Sequence, residues 1–424
     1  MNIYLAKQEV INTVKAYLLK DTNGNYKIPE IRQRPILLMG PPGIGKTQIM
    51  EQISNELSVG LVSYTITHHT RQSAIGLPIV SKKVYDGKEV NVTEYTMSEI
   101  IAGIYDYIEK TGHKEGILFI DEINCVSETL MPMMLQFLQV KTFGNQKLPK
   151  GWIIVAAGNP AQYNKQVREF DVVTLDRVRL INIEPDLDAW KIYGVQRHIH
   201  RSILSYLDVK VDNFYKVYRD VDGLRFCTAR GWEDLSTLLY TYEELEVPIT
   251  KDIIYEYIRD DDVASDFLSF YDLYKKYEKE YEIELIIKGS ADAALYARVS
   301  NAEYDEKLIL INLLLERLDR DFLDANNNTK ELEDAKQRNT DYDVSLELKS
   351  GVAIEMANSN LDNTIDFIKD GLDESSMLIF ITNLTLSENA ALFLLKNPNQ
   401  KYLNYANKLL INSNRNKILE ELNK

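Results

Sequence analysis

The sequence has little cysteine and no long apolar segment. Its 424 residues include two cysteines, Cys125 and Cys227, and neither belongs to a C-x-x-C pair. Isolated cysteines exclude a disulfide framework and are typical of a reducing compartment. Charges interrupt the N-terminal segment, unlike a signal peptide, and no apolar run approaches the roughly 20 residues that cross a bilayer. We therefore predict a cytoplasmic protein without a membrane span.

Positive charge is also scarce. The chain has 49 Lys and Arg against 64 Asp and Glu, which gives a net charge of −15. Such a chain repels nucleic acid and anionic membrane surfaces at long range, so binding to either is disfavoured. The hydrophobic fraction of 45% is ordinary for a globular protein. The length allows two or three domains, each with its own core.

Short apolar runs alternate with helical patterns through the first part of the chain. Between "RPILLMG" and "LINIEP", runs rich in β-favouring residues are separated by segments of helical periodicity. This alternation predicts a parallel sheet covered by helices on both faces. After Pro185 the strand pattern stops, and acidic, tyrosine-rich helical patterns follow. The predicted domains are an α/β core at 1–185, a helical bundle at 186–262 and a helical C-terminal extension at 263–424.

A glycine-rich segment follows the first predicted strand. "GPPGIGKT" matches the pattern G-x-x-x-x-G-K-T and precedes a helical pattern, a context that disfavours a plain Gly/Pro turn. The glycines let backbone N–H groups surround phosphate oxygens, and the helix directs its positive end at the same anion. The lysine of this pattern reaches the β- and γ-phosphates, and the threonine hydroxyl binds Mg²⁺. The predicted nucleotide-binding residues are Gly40, Pro41, Pro42, Gly43, Ile44, Gly45, Lys46, Thr47 and Gln48.

Two further predicted strands end in polar side chains. "GILFIDEIN" ends in the carboxylates of Asp121 and Glu122, and "WIIVAAGNP" ends at Asn159. A carboxylate pair at the end of a buried strand costs desolvation free energy unless a cation is near. We expect Asp121 to hold Mg²⁺ with Thr47, and Glu122 to orient or deprotonate the attacking water. Asn159 would hold that water or contact the γ-phosphate. A strand that simply reaches solvent is the alternative for the acidic pair.

Taken in order, these motifs resemble the AAA+ ATPases, and most closely the MoxR-like branch with a long helical C-terminus. The matching segments are Walker A "GPPGIGKT", Walker B "FIDEIN", sensor 1 "AAGNP", "DVVTLDRVR" and "TARGWEDLS". The resemblance implies an α/β P-loop NTPase core with sheet order 5-1-4-3-2, followed by an all-helical lid and an all-helical C-terminal domain. It also implies a homo-oligomeric ring, usually a hexamer, with ATP and Mg²⁺ at each subunit interface.

The resemblance assigns functions to three polar residues as well. Asn159 becomes sensor 1, and Arg230 in "TARGW" becomes sensor 2, which would contact the γ-phosphate of its own subunit. Arg177 in "LDRV" is the best candidate for an arginine finger, which acts in the site of a neighbouring subunit. Arg179 and Arg168 are alternatives for that finger. A surface arginine in an ordinary salt bridge is the other interpretation of each position.

The segment "HHTRQSAIGLP" places His68 and His69 next to Arg71. Adjacent residues on a strand point to opposite faces, so the two histidines cannot easily share a metal ion, which needs three or more ligands. The segment follows the second predicted strand and precedes a hairpin pattern with a strong turn signal at Asp86–Gly87. We predict a polar loop that contacts a neighbouring subunit or a client, with Arg71 as its main charge. A purely structural strand end is the main alternative, and a metal site and direct catalysis are less favoured than either.

The resemblance implies ATP-driven remodelling of partner proteins, a chaperone-like activity. MoxR-like ATPases typically work with a partner that carries a von Willebrand factor A domain. Two other functions stay open. A nucleic-acid loader would need a basic pore or a DNA-binding module, which the net charge of −15 disfavours. A nucleotide-gated scaffold with little turnover would not need the intact set Asp121, Glu122, Asn159 and Arg177.

Overall fold

The computed structural model describes residues 1–68, 70, 72, 74, 76–143, 146–163, 167, 170–221, 223–337 and 344–408. The chain divides into two compact units. The first unit comprises Met1–Ala189 with Thr228–Arg230, and the second comprises Trp190–Cys227 with Gly231–Lys424. The division into three domains stays a prediction, and its boundary between 262 and 263 falls in the first turn of a helix that spans Asp261–Glu280.

A parallel sheet organises the first unit. The strands of this unit are β1 (Ile36–Met39), β2 (Gly60–Thr65), β3 (Pro78–Tyr85), β4 (Lys88–Tyr95), β5 (Gly116–Asp121), β6 (Thr142–Phe143), β7 (Gln146–Lys147), β8 (Trp152–Gly158) and β9 (Arg179–Asn182). Five of the described strands form the sheet, in the order β2-β5-β8-β1-β9, and every neighbouring pair is parallel. Counted along the chain, this is the order 5-1-4-3-2, which confirms the predicted fold class. Because β1 lies between β8 and β9, the loop that follows β1 emerges beside the ends of both.

Apolar strands and helices build the core of this unit. Its helices are α1 (Ile3–Leu18), α2 (Lys46–Leu57), α3 (Glu99–Thr111), α4 (Met131–Val140) and α5 (Val172–Leu175). Every residue of β8 is buried, as expected for a strand covered on both faces. Leu118 of β5 belongs to one buried cluster with Ile100 and Ile104 of α3 and Met134 and Phe137 of α4. This packing fixes the carboxyl edge of the sheet, where the predicted site residues lie.

Two hairpins extend from the sheet. β3 and β4 pair antiparallel from Pro78↔Tyr95 to Tyr85↔Lys88. The turn residues Asp86 and Gly87 have φ of 49° and 76°, as a two-residue hairpin turn requires. The predicted hairpin is therefore confirmed. The shorter hairpin β6–β7 was not predicted, because two-residue strands carry no readable periodicity.

The second unit is mainly helical but contains a hairpin. Its strands are β10 (Lys216–Arg219) and β11 (Leu224–Cys227). Its helices continue from α6, which starts in the first unit, and are α6 (Leu187–Gln196), α7 (Arg201–Val209), α8 (Ala229–Glu244), α9 (Lys251–Tyr257), α10 (Asp261–Glu280), α11 (Ile283–Ile287), α12 (Ala293–Ser300), α13 (Tyr304–Gln337), α14 (Val344–Gly371), α15 (Glu374–Leu386) and α16 (Glu388–Lys396). The prediction that strands stop after Pro185 is wrong. The sequence "KVYRDVDGLRFC" carries the same Asp-Gly turn signal and alternation that revealed the first hairpin.

Buried tyrosines account for part of the unusual composition of the second unit. The Tyr206 hydroxyl donates to Asp266 Oδ2 at 2.9 Å, and the Tyr271 hydroxyl donates to Glu243 Oε1 at 2.7 Å. These bonds satisfy phenol groups that would otherwise be buried without a partner. Some of the acidic residues therefore serve internal packing.

No single helix within the described ranges is long and apolar enough to cross a membrane. Helices α15 and α16 together are long and apolar enough by length and composition alone, and the two helices are bent by 84° relative to each other. Phe380 of α15 and Phe393 of α16 are buried in the core of the second unit.

Candidate functional site

The segment Gly40–Thr47 turns from β1 into α2 with two glycines in the left-handed region. Gly43 has φ of 73° and Gly45 has φ of 91°, conformations that L side chains rarely adopt. A Cβ on Gly43 would also lie 3.1 Å from the Cβ and Oγ1 atoms of Thr228. Gly45 is the N-cap of α2, and the first turn of a helix leaves N–H groups without intrahelical partners. The loop can therefore surround an anion with backbone donors.

The other predicted residues of this loop differ in how far they are buried. Gly40, Pro41 and Ile44 are buried. A Cβ on Gly40 would lie 2.8 Å from the carbonyl oxygen of Ile183, so a larger residue would displace the backbone just after β9. Pro42 is half-buried, and Thr47 and Gln48 are exposed at the start of α2. The buried residues fix the loop, and the exposed ones are available to a ligand.

Lys46 lies at the centre of the site and is only 8% exposed. Its Nζ donates to the carbonyl oxygens of Gly40 and Pro41, each at 2.8 Å, and to Asn159 Oδ1 at 2.9 Å. Burial lowers the pKa of the ammonium group from 10.5 to about 8, while the Asp121 carboxylate opposes this shift and Arg230 adds to it. Since all three acceptors are neutral, an incoming anion would gain strongly from this charge.

Thr47 and Asp121 meet at the end of β5. The Thr47 hydroxyl donates to Asp121 Oδ2 at 2.8 Å, and Asp121 Oδ1 accepts from the backbone N–H of Glu122 at 2.9 Å. Mg²⁺ takes few protein ligands and keeps several waters, so one hydroxyl and one carboxylate beside a phosphate loop fit it. Within the described ranges, no group of three or more His, Cys, Asp or Glu forms a separate metal site. The residues present therefore fit a nucleotide with Mg²⁺.

Glu122 is held by a residue that the sequence analysis missed. Its backbone has φ of 56°, which is unusual for a residue with a side chain. Its Oε2 accepts a hydrogen bond from the Thr67 hydroxyl at 2.9 Å. Thr67 follows β2, in the short 3₁₀ segment Ile66–His68. The expected sheet order places β2 beside β5, so the position of Thr67 next to Glu122 could have been inferred.

Asn159 is held by Asn124, another residue to which the sequence analysis gave no function. Asn124 Nδ2 donates to the carbonyl oxygen of Asn159 at 2.7 Å, and the N–H of Asn159 donates to Asn124 Oδ1 at 3.3 Å. The Asn159 side chain in turn accepts from Lys46. The strand ends of β5 and β8 are therefore linked through Asn124 to the phosphate loop.

The comparison with protein families agrees with this geometry. Residues 36–176 match the family model described as the ATPase family associated with various cellular activities (AAA). The chain contains an AAA domain. The match runs from the start of β1 to the residue after α5, and it includes the phosphate loop, Asp121, Glu122 and Asn159. The match supports a nucleotide-binding ATPase domain in this part of the chain. No match to the chain is found among the curated proteins.

Arg230 lies beside the phosphate loop of the AAA domain. Its backbone N–H donates to the carbonyl oxygen of Gly43 at 3.1 Å, and its side chain is exposed. The helix α8 begins at Ala229, so Arg230 lies in its first turn. The structure thus brings Arg230 together with Lys46, Thr47, Asp121, Glu122 and Asn159.

The other predicted arginines are placed elsewhere. Arg177 is exposed, and its Nη1 donates to Gln139 Oε1 of α4. Arg179 on the edge strand β9 pairs with Glu9 of α1. Arg168 lies outside the described residues, as do His69 and Arg71 and the side chain of His68. The proposed contacts of the "HHTRQSAIGLP" loop therefore stay predictions.

Proposed function

We propose that this protein hydrolyses ATP to remodel partner proteins, as a MoxR-like AAA+ ATPase in a homo-oligomeric ring. The observation that carries the proposal is the joint placement of two contacts, Lys46 with Asn159 and Thr47 with Asp121, at one edge of the sheet. Phosphate recognition and Mg²⁺ binding need these two groups side by side. The family match over this segment supports the same conclusion.

Each residue of the site has a distinct task in this proposal. Lys46 and the backbone donors of the loop would bind the β- and γ-phosphates, and Thr47 and Asp121 would hold Mg²⁺. The bound ion would neutralise phosphate charge as the terminal phosphoryl group is transferred to water. Glu122 would accept the proton of that water, and Asn159 would help to place it. Arg230 would contact the terminal phosphate from the start of α8.

Assembly into a ring, which we take to be a hexamer, would complete the site. Arg177 is exposed and bonds to Gln139 rather than to the phosphate loop of its own subunit. Its exposed position would let it act in the site of a neighbouring subunit. An arginine supplied in this way is worth on the order of 10³–10⁵ in kcat in related phosphoryl-transfer systems. Turnover should then depend on protein concentration.

We take the client to be a protein that carries a von Willebrand factor A domain, and the site of action to be the cytoplasm. The net charge of −15 disfavours a nucleic-acid client. The β3–β4 hairpin exposes Val80 and Val84 at 73% and 68%. Exposed apolar side chains of this kind suit contact with a protein surface.

Phosphate release from MgATP tests the enzymatic part of the proposal. We expect turnover by the wild type, loss of ATP binding in Lys46→Ala, and binding without turnover in Glu122→Gln. Equal, near-zero turnover of the wild type and Glu122→Gln in the assembled state would refute an ATPase.

Mixing two inactive variants tests the ring. Glu122→Gln keeps the arginine but has a dead site, whereas Arg177→Ala keeps the site but lacks the arginine. If Arg177 acts in a neighbouring subunit, a mixture should regain activity that neither variant has alone. Arg32→Ala, which removes another exposed arginine, is the matched control and should keep full activity. A mixture no more active than its components would exclude Arg177 as the finger.

A capture experiment tests the client. Glu122→Gln loaded with ATP should retain a protein with a von Willebrand factor A domain, and Lys46→Ala should not. Tight binding of DNA at physiological salt in a gel shift would instead favour a nucleic-acid loader.

A further inference from the structure

Asn124 is a buried polar residue that the proposed chemistry does not use. It lies in the turn after β5, two residues beyond Glu122, and is 1% exposed. A buried amide costs free energy unless its donors and acceptors find partners. Its side-chain amide bonds to the backbone of Asn159 rather than to the phosphate loop. The reason for its presence must therefore be sought in what it holds.

The Asn124 amide forms a reciprocal pair with the backbone of Asn159. It donates to the Asn159 carbonyl at 2.7 Å and accepts from the Asn159 N–H at 3.3 Å. The preceding N–H, that of Ile123, donates to the Ala157 carbonyl at 2.9 Å. Three bonds thus tie the turn after β5 to the end of β8. Asn159 is the only member of this connection, among the described residues, whose side chain also contacts Lys46.

The space for this amide is provided by a glycine. A Cβ on Gly158 would lie 2.6 Å from Asn124 Oδ1 and 2.9 Å from Asn124 Cγ. Gly158 is not among the residues with positive φ, so a left-handed backbone does not account for the glycine. The absence of a side chain at 158 is therefore explained by the close approach of Asn124.

We propose that Asn124 is a positioning residue, which holds the backbone of Asn159 so that the Asn159 side chain reaches Lys46 and the terminal phosphate. The expected effect on kcat rests on the proposed ATPase function, because Asn159 contributes to turnover only there, whereas an effect on ATP binding through Lys46 needs only a nucleotide site. In this proposal Asn124 acts through Asn159, whose backbone it holds. Its effect should therefore disappear when the Asn159 side chain is already absent.

A double-mutant cycle of Asn124→Ala and Asn159→Ala tests this dependence. Loss of one group that stabilises a transition state lowers kcat by about 10²-fold, which we expect for Asn159→Ala. A misplacement of about 1 Å can cost a similar factor, so Asn124→Ala should lower kcat by about 10- to 10²-fold. The double variant should be no slower than Asn159→Ala. Independent effects would instead multiply, to about 10³-fold or more.

Gln33→Ala is the matched control for loss of a buried amide. Gln33 is 5% exposed, and its Nε2 donates to the carbonyl oxygens of Tyr17 and Ile28, each at 3.0 Å, away from the site. Gln33→Ala should lower the thermal unfolding temperature without coupling to Asn159→Ala. Asn124→Asp is a second variant that keeps the shape and the acceptor but cannot donate to the Asn159 carbonyl. Its kcat should lie between those of the wild type and Asn124→Ala.

The same cycle is measured on Kd for MgATP with a fluorescent ATP analogue, because Asn159 also contacts Lys46. Coupling in kcat or in Kd supports the positioning role, and multiplicative effects in both overturn it. If the wild type binds MgATP without turnover and the cycle is coupled in Kd, the ATPase proposal fails and the positioning role stands. If turnover is normal and the effects multiply, the positioning role fails alone.

Discussion

Binding of ATP should draw a proton onto Lys46. Burial lowers the pKa of this ammonium group from 10.5 to about 8 against the opposing effect of Asp121, and this net shift disfavours the charged form by about 3 kcal/mol. A bound triphosphate would restore the charge state, because opposite charge near a cation raises its pKa. Since the pKa is lowered in the folded protein without ligand, part of the Lys46 population is neutral above pH 7. That neutral fraction must take up a proton when ATP binds.

The expected uptake follows from the pKa alone. With a pKa of about 8, the neutral fraction of Lys46 is about 0.1 at pH 7, about 0.5 at pH 8 and about 0.9 at pH 9. The number of protons taken up per ATP should follow these values. Above pH 8, Kd for MgATP should rise toward about tenfold per pH unit, because the charged form that binds becomes rare. Below pH 7 the affinity should be nearly independent of this group.

Isothermal titration calorimetry in two buffers of different ionisation enthalpy measures the uptake directly. Lys46→Arg is the matched control, because a guanidinium stays protonated throughout this range. Burial also lowers the pKa of Lys141 to about 8, so any uptake that persists in Lys46→Arg comes from groups such as this one. Equal uptake at pH 7 and pH 9, or the same curve in Lys46→Arg, would refute the argument that burial governs Lys46.

Three further substitutions have defined outcomes. Thr67→Val removes the hydroxyl that competes with water for Glu122. Basal turnover should therefore rise several-fold, since the activation free energy falls by about 1 kcal/mol. A tenfold fall in phosphate release would show instead that Thr67 orients Glu122. Gly158→Ala pushes a methyl group against Asn124 and should slow turnover about as much as Asn124→Ala. The double variant Asn124→Ala/Gly158→Ala should lose little more, and unchanged steady-state turnover of Gly158→Ala would contradict the argument. Gly43→Ala places a side chain on a residue with φ of 73° and brings its Cβ close to Thr228. The strain of roughly 1–2 kcal/mol should weaken ATP binding about tenfold, while circular dichroism shows unchanged helical content. Wild-type affinity would be inconsistent with a rigid loop.

The fold was predictable because its signals are local and ordered. Each core strand is a short apolar run between helical patterns, and two of the runs end in the residues that meet at the site. The sheet order itself came from the family resemblance, and the structure confirms it with β1 paired to β8 in parallel, from Ile36↔Val155 to Met39↔Gly158. The ordered motifs alone assign Lys46, Thr47, Asp121 and Asn159 to one nucleotide site.

The second unit was less predictable because its hairpin is short. Residues 216–227 contain two four-residue strands between helices, and the helical composition around them dominated the interpretation. The turn signal at Asp222–Gly223 has the same form as that at Asp86–Gly87. The difference lies in context, since a hairpin among helices gains its stability from packing that no local pattern shows.

Asn124 and Thr67 were missed for a different physical reason. Charged residues at strand ends attract attention because a buried charge needs a partner, whereas neutral amides and hydroxyls are common in turns. Their importance depends on geometry across strands: Asn124 reaches the backbone after β8, and Thr67 reaches Glu122 after β5. Asn124 is separated from Asn159 by 35 positions in the sequence, and Thr67 is separated from Glu122 by 55. Neutral residues that bond to the site residues across strands are therefore where the structure adds most to the motifs, and they are positions at which turnover and ATP affinity can change while the charged site residues are intact.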